Sequence, residues 1–215
     1  MTSTPPCVHL VDTDAGFLDA AGRWLRVAGL AAFTYVSPQL FLEAYDPDRP
    51  GCLVADAHMP GGLSGLELAA LLGRQTCPPP VVMVAAGADV ALAVAALQQG
   101  AIDFLEKPLA PAALVHSVRR ALAQDRVQRD RALQQAALEA LYTTLSRRER
   151  EVFARLVANA SAKRIALELN LSPRTVEHHR EHVMAKMRAR SWHELVVMAI
   201  LLGHYEPRLP ALDWR

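Results

Sequence analysis

Three carboxylates and a lysine lie where apolar runs end in the first half of the chain. Asp12 and Asp14 follow the first run, Asp56 ends the third, and Lys107 follows the fifth. If these runs are parallel strands, the four side chains meet at the carboxyl edge of one sheet. Carboxylates are preferred Mg²⁺ ligands, and a carboxylate beside the metal can attack a phosphoryl group that a lysine pairs with. The pattern therefore favours a phosphoryl site with Asp12, Asp14 and Asp56 as candidate Mg²⁺ ligands.

A second set of polar side chains lies on a predicted helix late in the chain. Ser172 can cap this helix, and Pro173 suits its first turn. Its apolar face contains Val176, Val183 and Met187, with His179 at the edge, and its polar face contains Arg174, His178 and Glu181, flanked by Glu177 and His182. A short predicted helix, 163–169, and a turn at Asn170 precede it. This arrangement is typical of a helix-turn-helix whose second helix enters the major groove of DNA.

The polar residues divide into base contacts and phosphate contacts. Arg174 can donate two hydrogen bonds to guanine, and His178 can reach a base or a phosphate. Phosphate contacts, which position without specifying sequence, are expected from Lys163, Arg164, Arg180, Lys186 and Arg188. Carboxylates repel phosphate, so Glu177 and Glu181 are expected to face bases or to orient arginines. The predicted DNA-binding residues are Lys163, Arg164, Arg174, Thr175, Glu177, His178, Arg180, Glu181, His182 and Lys186.

Simpler interpretations of these residues stay open. Each basic residue taken alone fits a solvated surface charge. His178 and His182 have the spacing of zinc ligands on a helix, but the sequence places no third ligand beside them. His179 is expected to be a hydrogen-bonded residue at the edge of the core.

The first half of the chain alternates apolar runs with helical patterns. Strands are predicted at 7–11, 31–36, 52–55, 81–84 and 102–105, with helices near 15–28, 38–45, 65–74 and 90–99. Such β-α repeats favour one doubly wound parallel sheet of five strands, a flavodoxin-like α/β fold. From Pro111 a helical pattern continues without glycine or proline until Pro173. It predicts one helix that ends the sheet domain and also forms a linker; two helices with a charged, flexible joint are the alternative.

The last third of the chain carries signals for four helices. Ser146 with Glu149 and Ser191 with Glu194 have the spacing of capping boxes. Asn159 lies where the chain must turn, and Gly203 ends the last helical pattern. Residues 145–203 are therefore predicted to form an all-α domain with the helix-turn-helix in its middle.

Charge supports a division into domains. Residues 1–123 hold 7 Lys and Arg against 11 Asp and Glu, a net of −4, and residues 144–215 hold 13 against 8, a net of +5. An acidic first half and a basic last third suit a regulatory domain joined to a nucleic-acid binder. The expected domains are 1–123, a helical linker 124–143, a helix-turn-helix domain 144–206 and a tail 207–215.

Composition favours a cytoplasmic protein. No apolar run reaches the ~20 residues of a membrane span, and the first residues lack the basic region of a secretory signal. Cys7, Cys52 and Cys77 are odd in number and have no metal-binding spacing, which suits reduced thiols. Cys7 and Cys52 lie in apolar runs and are expected in the core, whereas Cys77 is expected to be the more exposed thiol.

Residues 7–120 resemble a response-regulator receiver domain. The matching segments are Val11-Asp12, Leu53–Asp56, Met59–Gly61, Gly65–Leu68 and Gly100–Pro108. The resemblance implies that Asp56 is the phosphoacceptor, that Lys107 pairs with the phosphate, and that Phe104 is the aromatic switch residue. It also implies a cis peptide between Lys107 and Pro108, a Mg²⁺ cofactor and a sensor histidine kinase as partner.

The last domain resembles the LuxR-type DNA-binding domain, specifically that of FixJ-type response regulators. The matching segments are Leu145–Val152, Lys163–Ala166, Ser172–Arg180 and Val183–Met187. The two resemblances together cover about nine-tenths of the chain, in the order that this family has. They imply a sequence-specific transcription factor, not an enzyme, that binds double-stranded DNA as a homodimer and acts on RNA polymerase.

The receiver departs from its family at two positions. Thr13 stands where the family usually has a second acidic metal ligand, and a hydroxyl is a poorer Mg²⁺ ligand than a carboxylate. Ala85 stands where the family has a Ser or Thr whose hydroxyl bonds the phosphoryl group and switches the domain. These departures predict weak Mg²⁺ binding and a receiver that works with little or no phosphorylation; ordinary phospho-switching through Asp56 is the alternative.

Two further expectations concern an enzyme class and a dimer surface. Asp12-Thr13-Asp14 matches the DxD motif of haloacid-dehalogenase-type phosphatases, but the Ser or Thr that family needs near Ala85 and its later acidic pair are absent from the sequence. Ala91–Leu97 is apolar nearly all round, whereas a surface helix should keep a polar face. We therefore expect a second copy of the chain to cover this helix; an Ala-rich surface helix without a partner is the alternative.

Overall fold

The computed structural model describes residues 5–60, 62–87 and 90–206. They divide into two compact units, with the boundary between Asp130 and Arg131. This division lies beyond residue 123, where the sequence placed the end of the first domain. Gly61 and the predicted tail 207–215 lie outside the described residues. None of the helices in the described ranges has the length and apolar content that crossing a membrane requires.

A parallel sheet of five strands forms the centre of the first unit. The strands are β1 (Cys7–Val11), β2 (Ala31–Tyr35), β3 (Gly51–Asp56), β4 (Val81–Ala86) and β5 (Asp103–Lys107). Their spatial order is β2-β1-β3-β4-β5, and all neighbouring pairs are parallel. β1 and β3 are buried along their whole length because helices cover both faces of the sheet. The predicted doubly wound sheet is confirmed.

Helices pack on both faces of this sheet. They are α1 (Ala15–Val27), α2 (Pro38–Ala44), α3 (Gly65–Leu72), α4 (Val90–Gln98) and α5 (Pro111–Thr143). Successive strand residues point to opposite faces, so the sheet contributes to two apolar clusters. Val8, Leu10 and Cys52 pack in the cluster with α1 and α5, and Leu53 and Met83 pack in the cluster with α2 and α3. Cys7 and Cys52 are both fully buried, as predicted.

Four helices follow in the second unit. They are α6 (Arg147–Val157), α7 (Ala162–Leu169), α8 (Pro173–Met187) and α9 (Trp192–Leu201). Their core includes Phe153, Ile165, Val176, Met187 and Leu195, all fully buried, and the end of α5 packs against it through Leu141 and Tyr142. The predicted all-α domain is therefore confirmed.

Helix ends in this unit follow the sequence signals with one exception. Ser146 and Glu149 form the predicted reciprocal capping box. Ser191 caps α9, but Glu194 Oε2 accepts the Arg190 N–H at 2.8 Å instead of the Ser191 N–H, so the second capping box is wrong. Asn159 and Asn170 have left-handed backbone conformations, with φ of 60° and 53°. Both tight turns of the helix-turn-helix region therefore use asparagine, which tolerates this conformation.

Candidate phosphoryl site and nucleic-acid interface

Two buried carboxylates share one lysine at the carboxyl edge of the sheet. Lys107, the last residue of β5, donates hydrogen bonds of 2.6 Å to Asp12 Oδ2 and of 2.6 Å to Asp56 Oδ2. The second oxygen of each carboxylate accepts a backbone N–H, from Asp14 at 2.8 Å and from His58 at 2.9 Å. The structure thus brings Asp12, Asp56 and Lys107 together, as the sequence predicted, and orients both carboxylates from two sides.

The lysine stays charged in this environment. Burial alone would lower the pKa of Lys107, but its hydrogen bonds to Asp12 and Asp56 raise the pKa above the ordinary value. Burial raises the pKa of Asp12 more than the hydrogen bond from Lys107 lowers it. Lys107 Nζ also lies 4.4 Å from the centre of the Phe17 ring, a cation–π contact that the sequence did not suggest. The Lys107–Pro108 peptide is cis, as the resemblance implied.

Asp14 does not join this pair. It caps α1, and its Oδ1 accepts the N–H groups of Gly16 at 2.8 Å and Phe17 at 3.1 Å. This oxygen is therefore occupied at the helix start, and a contribution of Asp14 to the metal site stays a prediction. Within the described ranges, no three His, Cys, Asp or Glu side chains gather as metal ligands. Asp12 and Asp56 fit a Mg²⁺ that keeps most of its waters, and the weak binding expected from the sequence stays a prediction.

The two departures from the receiver pattern lie beside this pair. Thr13 is exposed, and Ala85 is fully buried in β4, one residue before the strand ends. Phe104 on β5 is half-buried and packs against the cluster that contains Leu53 and Met83. The side chain at position 85 is therefore a buried methyl group on β4, which carries no hydrogen-bond donor.

The face of α8 opposite the core is exposed and polar. Val176, Val183 and Met187 are fully buried, which fixes the rotation of the helix. The exposed side chains are Arg174, Glu177, His178, Arg180, Glu181, His182 and Lys186, with Thr175 half-buried. Thr175 Oγ1 lies 2.8 Å from Ser172 Oγ at the helix start. On the preceding helix, α7, Lys163 and Arg164 are also exposed.

Several of these residues already have partners inside the domain. Lys186 Nζ donates to Glu149 Oε2 at 2.6 Å, and His182 Nδ1 lies 3.5 Å from Glu149 Oε1. Burial would raise the pKa of Glu149, but hydrogen bonds from Lys186 and Ser146 lower it to about 2. Glu149 is only 3% exposed. Lys186, predicted as a phosphate contact, thus neutralises a buried carboxylate that joins α6 to α8.

Other predicted DNA contacts are oriented by carboxylates. Arg164 Nε donates to Glu168 Oε1 at 2.9 Å. Arg180 Nη1 lies 3.6 Å from Glu177 Oε2, which agrees with the expectation that a glutamate orients an arginine. The centres of the His178 and His182 rings are 4.1 Å apart, but among the described residues no group of three His, Cys, Asp or Glu side chains could hold a metal ion.

His179 departs from its prediction. Its Nδ1 is buried, and among the described residues no hydrogen-bond partner lies within reach. The expected hydrogen-bonded edge residue is therefore wrong at this atom.

Sequence reasoning missed the partners that act across elements. Glu149 was predicted only as a helix cap, although its carboxylate also binds Lys186 and lies beside His182. Phe17 was not predicted at the phosphoryl site. Asp125 and Arg129 have the i,i+4 spacing of an ion pair on α5, a signal that was visible in the sequence. The partners of these two residues in a distant loop were not visible in the sequence.

Two family models match the chain. Residues 8–119 match the response regulator receiver domain, and residues 143–199 match the bacterial regulatory proteins of the luxR family. The chain is 40% identical to the transcriptional regulatory protein FixJ of Azorhizobium caulinodans, over 91% of this chain and 92% of that protein. It is 33% identical to the response regulator protein TmoT of Ectopseudomonas mendocina, over 91% of this chain and 86% of that protein.

Solved structures give the same result. The response regulator StyR has a TM-score of 0.79 at 34% identity, covering 92% of this chain and 99% of that chain. Full-length FixJ from B. japonicum has a TM-score of 0.55 at 36% identity, covering 95% and 100%. The chain therefore belongs to the FixJ-type response regulators, transcription factors in which a receiver domain precedes a LuxR-type DNA-binding domain.

Proposed function

We propose that this chain regulates transcription by binding paired DNA half-sites as a homodimer, largely without phosphorylation of Asp56. The observation that carries the proposal is Ala85. Its buried methyl group lies at the position where the family places a hydroxyl that reads out the phosphoryl group. A ligand shifts a conformational equilibrium only by its differential affinity for the two states. Without that hydroxyl, a phosphoryl group on Asp56 favours one conformation of the receiver over the other less strongly.

The metal site supports the same proposal. Lys107 already compensates Asp12 and Asp56 at 2.6 Å each, Thr13 supplies no charge, and Asp14 serves as a helix cap. Mg²⁺, when bound, supplies positive charge that helps a phosphoryl donor approach the carboxylate. With fewer carboxylates available, the site binds Mg²⁺ weakly and Asp56 reacts slowly. A sensor histidine kinase remains the partner that a receiver domain implies.

The exposed face of α8 supports DNA binding. Arg174 projects from the first turn, opposite the buried Val176 and Val183, and the domain has an excess of positive charge. One recognition helix reads a half-site, so we propose that two copies bind a two-fold-related duplex. Arg174 and His178 contact bases, and Lys163 and Arg180 contact phosphates. Bound in this way, the protein would act on transcription by contacting RNA polymerase.

The apolar outer face of α4 supports the dimer. Val90, Val94 and Leu97 are 80%, 45% and 49% exposed, whereas Ala96 on the inner face is fully buried. Apolar side chains repeated on one outer face form a patch that water solvates poorly. A second copy of the receiver, related by two-fold symmetry, covers such a patch with the same patch.

The test restores the two missing groups. Thr13→Asp with Ala85→Thr should make DNA affinity respond to acetyl phosphate and Mg²⁺. Thr13→Asp with Ala85→Val is the matched control, because valine has nearly the volume of threonine but no hydroxyl. A response in the first double variant alone supports the proposal. Equal responses in both variants, or in neither, would show that the hydroxyl at position 85 is not what the receiver lacks.

Ordinary phospho-switching is the second candidate function. Asp12, Asp56 and Lys107 retain the geometry that phosphorylation of a receiver requires, which favours it. It predicts that the unaltered chain binds DNA much more tightly after treatment with acetyl phosphate, and that Asp56→Asn abolishes this gain.

A further inference from the structure

A buried ion pair fastens α5 to the receiver beyond its apolar packing. Leu114, Val118 and Ala121 are the last fully buried apolar residues of this helix, and Val127 is about half exposed. Asp125, one turn after Ala121, is nevertheless only 1% exposed. Polar contacts therefore hold the helix in this region, where burial of apolar surface contributes little.

Asp125 connects α5 to the beginning of β3. Its Oδ2 accepts the Gly51 N–H at 3.0 Å. A Cβ on Gly51 would lie 2.3 Å from the Cys7 carbonyl oxygen, so this backbone passes close to β1 and only glycine fits. The Gly51 N–H thus has a fixed direction, and a carboxylate on α5 accepts its hydrogen bond.

Arg129 donates hydrogen bonds to carbonyl groups of the loop before β3. Its Nε donates to both Asp125 oxygens, at 3.0 and 3.1 Å. Its terminal nitrogens donate to the Asp48 carbonyl at 3.1 Å, the Pro47 carbonyl at 3.0 Å and the Arg49 carbonyl at 2.9 Å. Three consecutive loop carbonyls are satisfied by one planar guanidinium, a geometry that lysine cannot reproduce.

The energetic consequence follows from burial. The side chains of Arg129 and Asp125 are 16% and 2% exposed. Removing one partner of a buried, hydrogen-bonded pair leaves the other charge without compensation, which strongly disfavours the docked geometry. The pair and its hydrogen bonds therefore favour the docked position of helix segment 122–129.

We propose that Asp125 and Arg129 are positioning residues for DNA binding. They dock α5 on the receiver as far as Arg129, so this part of the helix moves with the receiver as one body. The DNA-binding domains of a dimer are then presented to half-sites with a narrow range of spacing. This inference rests on the proposed binding of paired half-sites.

The test compares Arg129→Gln with Arg126→Gln in the full chain. Arg126 is exposed on the same helix, so its variant loses the same charge but leaves the ion pair intact. Hydrogen exchange of amides 122–129 should accelerate by about tenfold or more in Arg129→Gln and stay unchanged in Arg126→Gln. Amides of β1, β3 and β4 should keep their protection. Arg129→Lys keeps the charge but loses the planar guanidinium that donates to several acceptors at once. It should therefore behave like Arg129→Gln.

DNA binding gives the functional readout. A duplex is selected by the wild-type chain from a randomised pool, and its half-site spacing is then changed in steps of one base pair. Arg129→Gln should bind the selected duplex about tenfold more weakly, since a looser connection lowers effective concentration. It should also tolerate altered spacing better and bind a single half-site as the wild-type chain does.

Different failures have different meanings. Unchanged exchange in 122–129, or an unchanged spacing preference, overturns the inference. Loss of protection in the sheet overturns it as well, since the pair would then maintain the fold instead of positioning the helix. A wild-type chain that selects no paired sites contradicts the proposed function, whereas the exchange experiment still decides whether the pair holds the helix.

Discussion

Lys186 provides a direct test of whether a basic residue on the recognition helix serves DNA or the fold. Its ammonium group lies 2.6 Å from the nearly buried carboxylate of Glu149. The pKa of Glu149 falls from its ordinary value of 4.5 to about 2. A shift of this size corresponds to about 3 kcal/mol. Because the Lys186 side chain is 39% exposed, solvent screens the pair, and we expect Lys186→Met to cost about 1–2 kcal/mol at neutral pH.

The stability of the domain depends on pH in a defined direction. The folded-state pKa of Glu149 lies below its ordinary value, so its contribution is complete above pH 4.5 and disappears as pH falls toward about 2. The wild-type domain should therefore lose stability over this range. Lys186→Met should lose less over the same range, because part of the contribution is already missing, and the two stabilities should converge at low pH.

Urea unfolding followed by Trp192 fluorescence measures both effects. Trp192 Nε1 donates to the Leu156 carbonyl at 3.2 Å, so its emission reports the packing of α9 on α6. The other two tryptophans of the sequence, Trp24 and Trp214, are replaced by phenylalanine to isolate this signal. Lys163→Met is the matched control, since it removes an exposed lysine from α7.

The same variants separate structure from DNA contact. Lys163→Met should leave stability unchanged and reduce the slope of log K against log salt by about 0.9, the effect of one lost phosphate contact. Lys186→Met should change stability but not this slope. Equal stabilities of the two variants with a reduced slope for Lys186→Met would refute our assignment and return Lys186 to the phosphate contacts.

Two further predictions concern the DNA and dimer surfaces. Arg174→Ala should weaken binding to a selected duplex by about 1–3 kcal/mol and weaken binding to random DNA less, as measured by fluorescence anisotropy. Equal losses on both would make Arg174 a phosphate contact. Leu97→Glu should convert the proposed dimer to monomers in light scattering, because it places a charge on the exposed face of α4. An unchanged mass with an intact fold would place the interface elsewhere, most simply on the linker helix.

Much of the fold follows from local sequence patterns. The five strands were predictable because apolar runs of strand length alternate with helical periods and end in polar residues such as Asp12 and Asp56. Strand ends were less predictable: β4 and β5 extend to Ala86 and Lys107, beyond the predicted ends at residues 84 and 105. Backbone pairing with a neighbouring strand determines these ends, and a single sequence does not display that pairing.

The site was predictable where one side chain defines the chemistry. Asp12, Asp56 and Lys107 come together because parallel strands end at one edge. The assignments of Asp14 and Lys186 were incomplete for a common reason. Each side chain has a competing partner, the first turn of α1 or the Glu149 carboxylate, and the choice between partners depends on three-dimensional distance. Asp125 shows the same limit, because its partner Gly51 is far away in sequence.

DNA affinity with and without a phosphodonor tests the central claim most directly. The full chain is incubated with acetyl phosphate and Mg²⁺, phosphorylation is measured by mass spectrometry, and affinity for a selected duplex is measured in the same samples. We predict little phosphorylation and a change in affinity of less than about threefold, since Ala85 and Thr13 leave the phosphoryl group little differential affinity. Stoichiometric phosphorylation with a gain of about tenfold or more, abolished by Asp56→Asn, would contradict the account.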